Sequence, residues 1–392
     1  MKILYYIADL TQSNGGIRQY ACALLKLLAQ ERNNEYYVLT QTNDPIITSI
    51  IQDNANVILI PNNLARERSY EKLMRQFIGI SALLSDKYTK FKNSTMFSRT
   101  QRLCNKYNID IVYCPYQYIP NTDRKTVSTL HDVQELHFPG FFTPHDRLHR
   151  AAIHKTITER ATLIVVSYDH IKDDLINYFY RTEENVLTCL LDMKNLWFDE
   201  IKPDQIIDLS SYNLPDSFIF YPAAMWPHKN HIGLIKAIAY LRTIYSLKIN
   251  IVFTGHKHNH YEVIKNEVHN LRIEDQVYFL GIVDELTLFS LYHAAQAVVV
   301  PTLYEAGSFP LMESIIMGVP VIASNVTSLP TAMGDSRFLF DPTNTVDMAE
   351  MIKRICTDTA FIDANLLNSQ KQAVNLRDSG ALKKISQALT QI

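Results

Sequence analysis

Short apolar runs alternate with helical patterns along almost the whole chain. Seven of these runs lie in the first half, at Ile3–Ala8, Tyr36–Thr40, Val57–Ile60, Ile109–Cys114, Thr126–Leu130, Leu163–Val166 and Val186–Cys189. Six more lie in the second half, at Phe218–Tyr221, Asn250–Phe253, Val277–Leu280, Ala297–Val300, Val319–Ala323 and Arg337–Phe340. Apolar residues recur at helical spacing between them, as in Ile17–Ala29. The alternation predicts an α/β fold whose parallel sheets carry helices on both faces.

The alternation breaks once, and this break predicts two domains. It lies in Lys194–Asp216, where prolines and polar residues accumulate. We expect domains over 1–195 and 217–370, joined by a linker over 196–216. Residues 371–392 end in an amphipathic segment with no strand to follow it. With 392 residues, the chain is long enough for two domains of ordinary size.

One strand–helix–strand unit, around residues 296–323, carries two acids that are candidates for a binding site. Glu305 lies in the loop after a predicted strand, and Glu313 lies early in a helix that begins near Ser308. Open parallel sheets bind ligands at the carboxyl ends of their strands, and the free N–H groups of a first helical turn attract anions. A phosphate on this turn, between two carboxylates that accept hydrogen bonds from hydroxyls, indicates a sugar nucleotide. The alternative is that both acids are solvated surface residues.

Lys229 is a second candidate, because it is predicted to open a helix directly after a strand. A cation is disfavoured at a helix N-terminus unless an anion is shared there with the backbone donors. The lysine therefore favours a phosphate site. Alternatively, it is an exposed lysine whose stem packs on Trp226.

The first half contributes weaker candidates. Gly15 and Gly16 follow the first strand and precede a helix, where backbone can approach a ligand closely, although any tight turn could require them. His131 ends a predicted strand beside Asp132 and could donate to a substrate hydroxyl. Most histidines in such positions are structural.

Composition limits the class of protein. The net charge of −2 argues against a general nucleic-acid binder, and five scattered cysteines favour a reducing compartment. The stretch 66–106 is basic, with apolar residues interleaved. Such a stretch is typical of a segment that contacts anionic lipid, and equally of ordinary solvated helices. Without an Asp-x-Asp pair or a GxGxxG motif, metal–diphosphate and dinucleotide sites are disfavoured.

Together these segments resemble family 4 of the retaining glycosyltransferases (glycosyl transferases group 1). The likeness spans nearly the whole chain and rests on five segments in the expected order: HDVQELHFP (131–139), WPHKN (226–230), FTG (253–255), VYFLGIVDEL (277–286) and the Glu305–Glu313 spacing followed by GVPVIAS. It implies the GT-B fold, in which two Rossmann-like domains face a central cleft and the C-terminal helix crosses back to the N-terminal domain.

The resemblance also implies residue roles. The C-terminal domain would bind the nucleotide sugar and the N-terminal domain the acceptor. Glu305, Lys229 and His131 would be the catalytic residues. The donor and its nucleotide would contact a larger set: Glu313, Gly307, Ser308, Phe309, Gly281, Val283, Gly255, Gly15 and Gly16. Arg18 and Asp132 would lie on the acceptor side. No metal and no cofactor are expected.

Three positions depart from the family pattern. Ala224 stands where an arginine is common five residues before the lysine, and Thr331 stands where an acid is common. AGSFPLM (306–312) replaces the usual GFGLPLL. The diphosphate charge would then be met by Lys229, helix N-termini and Arg18.

The sequence thus predicts a cytoplasmic, metal-independent, retaining hexosyltransferase of bacterial polysaccharide or glycoconjugate synthesis. The donor would be a GDP-, UDP- or dTDP-sugar, with mannose as the expected hexose. The acceptor would be a glycan or a lipid-linked glycan, with peripheral membrane contact through 66–106. A GT-B phosphorylase, a sugar-phosphate synthase and a catalytically silent binding scaffold remain as alternatives.

Overall fold

The structure is a computed structural model that describes residues 1–8, 10, 15–40, 44–61, 95, 98–194 and 197–392. The described residues form two compact units, one of residues 1–191 with 380–392 and one of residues 192–379. Most of the basic stretch 66–106 lies outside the described residues, so its predicted membrane contact stays a prediction. No helix in the described ranges combines the length and the apolar character needed to cross a bilayer.

The first unit is built on a parallel seven-stranded sheet with the order β3-β2-β1-β4-β5-β6-β7. Its strands are β1 (Lys2–Tyr6), β2 (Glu35–Leu39), β3 (Val57–Leu59), β4 (Ile111–Cys114), β5 (Lys125–Thr129), β6 (Leu163–Val166) and β7 (Val186–Thr188). The helices between them are α1 (Gly15–Leu28), α2 (Pro45–Asp53), α3 (Arg99–Tyr107), α4 (Gln134–His137), α5 (Pro144–Arg160) and α6 (Asp169–Phe179).

The second unit is built on a parallel six-stranded sheet with the order β10-β9-β8-β11-β12-β13. Its strands are β8 (Ile219–Pro222), β9 (Ile251–Thr254), β10 (Val277–Gly281), β11 (Ala297–Val300), β12 (Val321–Ser324) and β13 (Leu339–Phe340). Its helices are α7 (His231–Tyr245), α8 (Tyr261–Asn270), α9 (Glu285–Ala294), α10 (Phe309–Met317), α11 (Leu329–Met333), α12 (Thr345–Thr357) and α13 (Thr359–Arg377). The strand order reverses between β8 and β11, so the carboxyl ends of these two strands mark the place where such sheets bind ligands.

Every strand predicted from the sequence is present, and the predicted α/β class with two Rossmann-like units is confirmed. The strands are easy to predict because a parallel sheet covered by helices is buried on both faces and therefore has continuously apolar strands. The whole of β11 is buried, for example. The predicted cleft between the units stays a prediction.

The ends of the units differ from the ranges expected from the sequence. Residues 192–216 belong to the second unit, because the Ile207 amide donates to Ser290 Oγ at 3.0 Å and Tyr212 Oη lies 3.4 Å from Thr287 Oγ1. Residues 371–379 also belong there, since α13 continues through Arg377.

The last helix, α14 (Ala381–Gln391), belongs to the first unit. It places Ala381, Ile385 and Leu389 in the hydrophobic core of that unit. This burial explains the amphipathic pattern that the sequence shows after the last strand.

Candidate functional site

Lys229 and Glu305 meet at the reversal of strand order in the second unit. Lys229 follows β8 and Glu305 follows β11, and Lys229 Nζ donates to both carboxylate oxygens of Glu305, at 2.8 and 2.7 Å. The two side chains are only 17% and 10% exposed. The structure thus brings together the two strongest sequence candidates. It shows them as a mostly buried ion pair, so Glu305 is not the solvated surface acid of the alternative interpretation.

Lys229 does not open the following helix, and that sequence prediction is wrong. It ends a short 3-10 turn, Pro227–Lys229, and α7 begins at His231. The reason is Asn230, which adopts a left-handed conformation with φ +56° and caps α7 by accepting the Gly233 amide at 3.2 Å. Lys229 therefore lies on a turn before the helix, and the helix dipole does not explain its position.

Asn230 also joins three loops, and sequence reasoning missed this role. Its Nδ2 donates to the carbonyls of Pro301 and Pro342, each at 2.9 Å. These carbonyls follow β11 and β13, so one amide side chain connects the carboxyl ends of three strands. The loops of β8 and β11 are further joined at His228, whose carbonyl accepts Leu303 N at 2.8 Å and Thr302 Oγ1 at 2.9 Å.

The backbone of Glu305 is fixed by two hydroxyl residues that the sequence did not single out. Thr327 Oγ1 accepts the Glu305 amide at 3.1 Å and donates to the Glu305 carbonyl at 2.8 Å. Ser328 Oγ donates to the same carbonyl at 2.9 Å. A cluster of polar residues directly after β12, at the ligand-binding edge of the sheet, is the signal that could have identified them.

The loop between Glu305 and α10 offers backbone donors. The helix begins next to Ser308, as predicted; Ser308 caps it through its side chain, and Pro310 in the first turn has no N–H to offer. Within the described part of the chain, the amides of Gly307, Ser308 and Phe309 have no hydrogen-bond acceptor. Free amides at a helix N-terminus favour an anion. Their predicted contact with the donor stays a prediction.

Glu313 is buried on α10 and is held by two donors that sequence reasoning missed. Trp197 Nε1 donates to Oε1 and Tyr292 Oη donates to Oε2, each at 2.7 Å. Burial raises the pKa of the Glu313 carboxyl, and the two hydrogen bonds oppose the rise. Glu313 is therefore no solvated surface acid. Each oxygen keeps a second lone pair, so the predicted contact with a ribose hydroxyl remains a prediction.

Gly255 and Gly281 pair at the ends of β9 and β10. The Gly255 amide donates to the Gly281 carbonyl at 2.8 Å, and both residues have positive φ, +116° and +75°. A Cβ on Gly255 would lie 2.7 Å from the backbone of Ala223. Glycine is therefore required here by close backbone approach. Val283 lies two residues beyond Gly281 and is half-buried.

In the first unit, His131 follows β5 as predicted. Its ring packs edge-on against the Tyr20 ring at 4.8 Å, and its Nε2 is buried without a hydrogen-bond partner among the described residues. Burial lowers the pKa of His131, with Asp132 opposing, so the imidazole is neutral at pH 7. Gly15 and Gly16 form the start of α1 and do not precede it, which corrects the sequence prediction.

The two polar residues expected on the acceptor side are in ion pairs. Arg18 Nε donates to Asp44 Oδ2 at 2.6 Å, and Asp44 caps α2. Asp132 Oδ1 accepts from Arg150, which sequence reasoning missed. Arg18 and Asp132 are thus partnered within the first unit, and their predicted contacts with substrate stay predictions.

Arg150 leads to a buried cluster whose pH dependence can be measured. Its Nε donates to Glu135 Oε2 at 2.7 Å, and His154 Nδ1 lies 2.8 Å from Glu135 Oε1. Burial alone would raise the pKa of Glu135, but His154 and Arg150 lower it from 4.5 to about 2.

Since the pKa of Glu135 is lower in the folded state, its stabilisation is complete above pH 4.5 and is lost as the pH falls toward about 2. We expect Glu135→Gln to remove about 3 kcal/mol of unfolding free energy at pH 7. The difference from the parent chain should shrink below pH 4.5 in urea titrations. A difference that stays constant down to pH 3 would contradict this account.

Among the described residues, no group of three or more His, Cys, Asp or Glu side chains is arranged to hold a metal ion.

The second unit contains a region that matches a known protein family. The sequence profile of the family described as "Glycosyl transferases group 1" matches residues 206–374, which lie entirely within that unit. The match includes Lys229, Glu305 and Glu313.

Individual proteins agree with this match. The chain is 27% identical over 351 residues to O-antigen chain mannosyltransferase B of Escherichia coli, and the alignment covers 88% of each protein. It is 21% identical over 248 residues to O-antigen chain mannosyltransferase RfbU of Salmonella typhimurium, covering 63% of this chain and 65% of that one. Among solved structures, HepE of Anabaena, in complex with UDP-glucose, superposes with a TM-score of 0.70 at 17% identity and full coverage of both chains.

Proposed function

We propose that this chain, whose residues 206–374 match the family of group 1 glycosyl transferases, transfers a hexose from a nucleotide-diphosphate sugar to a glycan during polysaccharide synthesis. The observation that carries the proposal is the Lys229–Glu305 pair at the reversal of strand order, beside the free amides of Gly307 to Phe309. A cation, anion-binding amides and a carboxylate at one point suit a molecule that joins a diphosphate to a polyol.

In this proposal the donor separates the side chains of Lys229 and Glu305, and each of them binds a different part of the donor. The diphosphate binds to the ammonium group of Lys229 and to the amides before α10. Glu305 then accepts hydrogen bonds from sugar hydroxyls. Negative charge develops on the leaving diphosphate as the glycosidic bond breaks, and preorganised donors stabilise that charge. The carboxylate and the ammonium are already mostly buried in their ion pair, so little reorganisation of solvent is needed.

The finer points of the proposal are the stereochemistry and the metal requirement. We expect retention of the anomeric configuration, with the acceptor attacking on the face that the diphosphate leaves and a phosphate oxygen taking its proton. We expect transfer without an added metal or cofactor. Assignment to family 4, within the group 1 enzymes, also belongs to the proposal.

The identity of the substrates rests on the relatives. Two of them are named O-antigen mannosyltransferases, which supports mannose as the sugar and a bacterial polysaccharide as the product. HepE was solved with UDP-glucose, so GDP-, UDP- and dTDP-sugars all merit testing. A lipid-linked acceptor, cytoplasmic location and membrane contact through 66–106 are further parts of the proposal.

The test is a transfer assay with GDP-mannose, UDP-glucose and dTDP-glucose, each with and without short mannan acceptors and with and without EDTA. We expect one donor to release its nucleotide only when acceptor is present, with a product of unchanged anomeric configuration by NMR. A requirement for free phosphate would indicate a phosphorylase. Absence of nucleotide binding in calorimetry would indicate a silent scaffold and contradict the proposal.

A further inference from the structure

Three aromatic rings form a column at the carboxyl edge of the second unit's sheet. The rings of Trp226 and His258 are stacked with centroids 3.7 Å apart and planes inclined by 24°. The rings of His258 and His256 are stacked at 4.2 Å and 23°. His258 therefore lies in the middle and supports the indole on one face. Despite this support, Trp226 remains 45% exposed, which leaves a flat apolar surface open.

Trp226, the outer ring of the column, belongs to the same turn as Lys229. The Lys229 amide donates to the Trp226 carbonyl at 3.0 Å, which fixes the indole at one end of the turn and the ammonium at the other. Trp226 follows β8, and the two histidines follow β9. The two loops are joined because the Met225 amide donates to the His256 carbonyl at 3.0 Å. The column thus lies at the carboxyl ends of β8 and β9, on the side of β8 that faces away from β11.

We infer that the exposed face of Trp226 stacks on the base of the donor nucleotide. This inference rests on the proposed function and deepens it. A nucleotide sugar has its base on one side of the diphosphate and its sugar on the other. With the diphosphate at Lys229 and the sugar toward Glu305 on the β11 side, the base extends toward β9, where the column stands. Base–aromatic stacking tolerates any base, because every base has a π-face.

The chemistry of the column favours a base over a phosphate. Burial, and then the neighbouring His256, lower the pKa of His258, so the ring supporting the indole is neutral at pH 7. The nearby Lys257 directs its ammonium over the Tyr261 ring at 4.8 Å. A neutral stacked surface suits a flat, uncharged ligand, and the surface offers a phosphate little attraction.

The test compares two probes by calorimetry: inorganic pyrophosphate and whichever of GDP, UDP and dTDP binds the intact chain most tightly. We expect Trp226→Ala to weaken nucleotide binding about tenfold, which is within the range for one stacked base, and to leave pyrophosphate binding unchanged. Trp226→Phe should retain most of the affinity, and His258→Ala should lose part of it. His260→Ala, in the same loop but outside the column, is the matched control and should change neither.

Tryptophan emission gives a second measurement, because the chain contains only two tryptophans. The nucleotide should quench emission in the intact chain by an amount that Trp226→Phe removes. Equal nucleotide affinity in Trp226→Ala would overturn the inference. An equal loss for pyrophosphate would also overturn it, because Trp226 would then act only by holding the Lys229 turn. If the intact chain binds neither probe, the proposed function itself fails.

Discussion

Replacing Lys229 with alanine is expected to lower the rate of sugar transfer at least about a hundredfold, as the loss of one preorganised donor at a developing anion does. Lys229 Nζ is the cation placed 2.7 and 2.8 Å from the Glu305 oxygens, with a side chain only 17% exposed. The measurement is the initial rate of transfer from whichever of GDP-mannose, UDP-glucose and dTDP-glucose proves to be the donor. Lys236→Ala, an exposed lysine on α7, is the control and should leave the rate unchanged.

Stability has to be measured alongside the rate, because Lys229→Ala leaves the buried Glu305 carboxylate without its partner. Such a loss typically costs about 3 kcal/mol. The double variant Lys229→Met with Glu305→Gln has no unpaired charge, so we expect it to recover most of this stability and to stay inactive. A double variant that is both stable and active would exclude the pair from the reaction.

Substituting Gly255 with alanine should destabilise the second unit by about 3 kcal/mol or more. The new Cβ would meet the Ala223 carbonyl group at 2.7 Å, and alanine is strained at a φ of +116°. Neither backbone can move easily, because the Gly255 amide is bonded to Gly281 and the Ala223 amide to Thr254, at 2.8 and 3.1 Å. Urea unfolding of the intact chain measures the effect.

Gly318→Ala is the matched control for this prediction. Gly318 ends α10 with a φ of +70°, yet a Cβ there would meet nothing within 4 Å. This control variant introduces backbone strain without a steric clash, and we expect it to lower the free energy of unfolding by about 1 kcal/mol. Equal costs at the two glycines would show that close approach to Ala223 is unimportant.

The parts that the sequence predicted share a local signal. The strands were predictable because burial on both faces makes them continuously apolar, and β8 and β11 are examples. The start of α10 near Ser308 could be predicted because serine is a residue type that helix starts favour. Glu305 stood out as an acid in an otherwise apolar strand–helix–strand unit. Lys229 was singled out because it was predicted to open a helix, and the structure shows that this reason was wrong. Each of these features depends on neighbours only a few residues away.

The parts that the sequence did not predict depend on distant partners. Asn230 bonds to carbonyls 71 and 112 residues away, and Trp197 reaches Glu313 across 116 residues. Asparagine and tryptophan side chains donate hydrogen bonds in many structural contexts. The spacing of residues along the chain therefore does not identify these partners. The start of α7 was misplaced for a related reason. The left-handed conformation of Asn230 separates the turn that holds Lys229 from the start of α7. The hydrophobic periodicity of the sequence gives no sign of this conformation.

The position of α14 has a consequence for dissecting the protein. Since the first unit consists of residues 1–191 and 380–392, the second is an insertion within it. The two ends of that insertion are adjacent: Asp192 Oδ1 accepts the amide and the hydroxyl of Ser379 at 2.9 and 2.7 Å. A stop codon after Ser379 would therefore leave the second unit complete and remove a core helix from the first unit. A short peptide joining Leu191 to Gly380 would instead excise the insert and leave the host with all of its own segments.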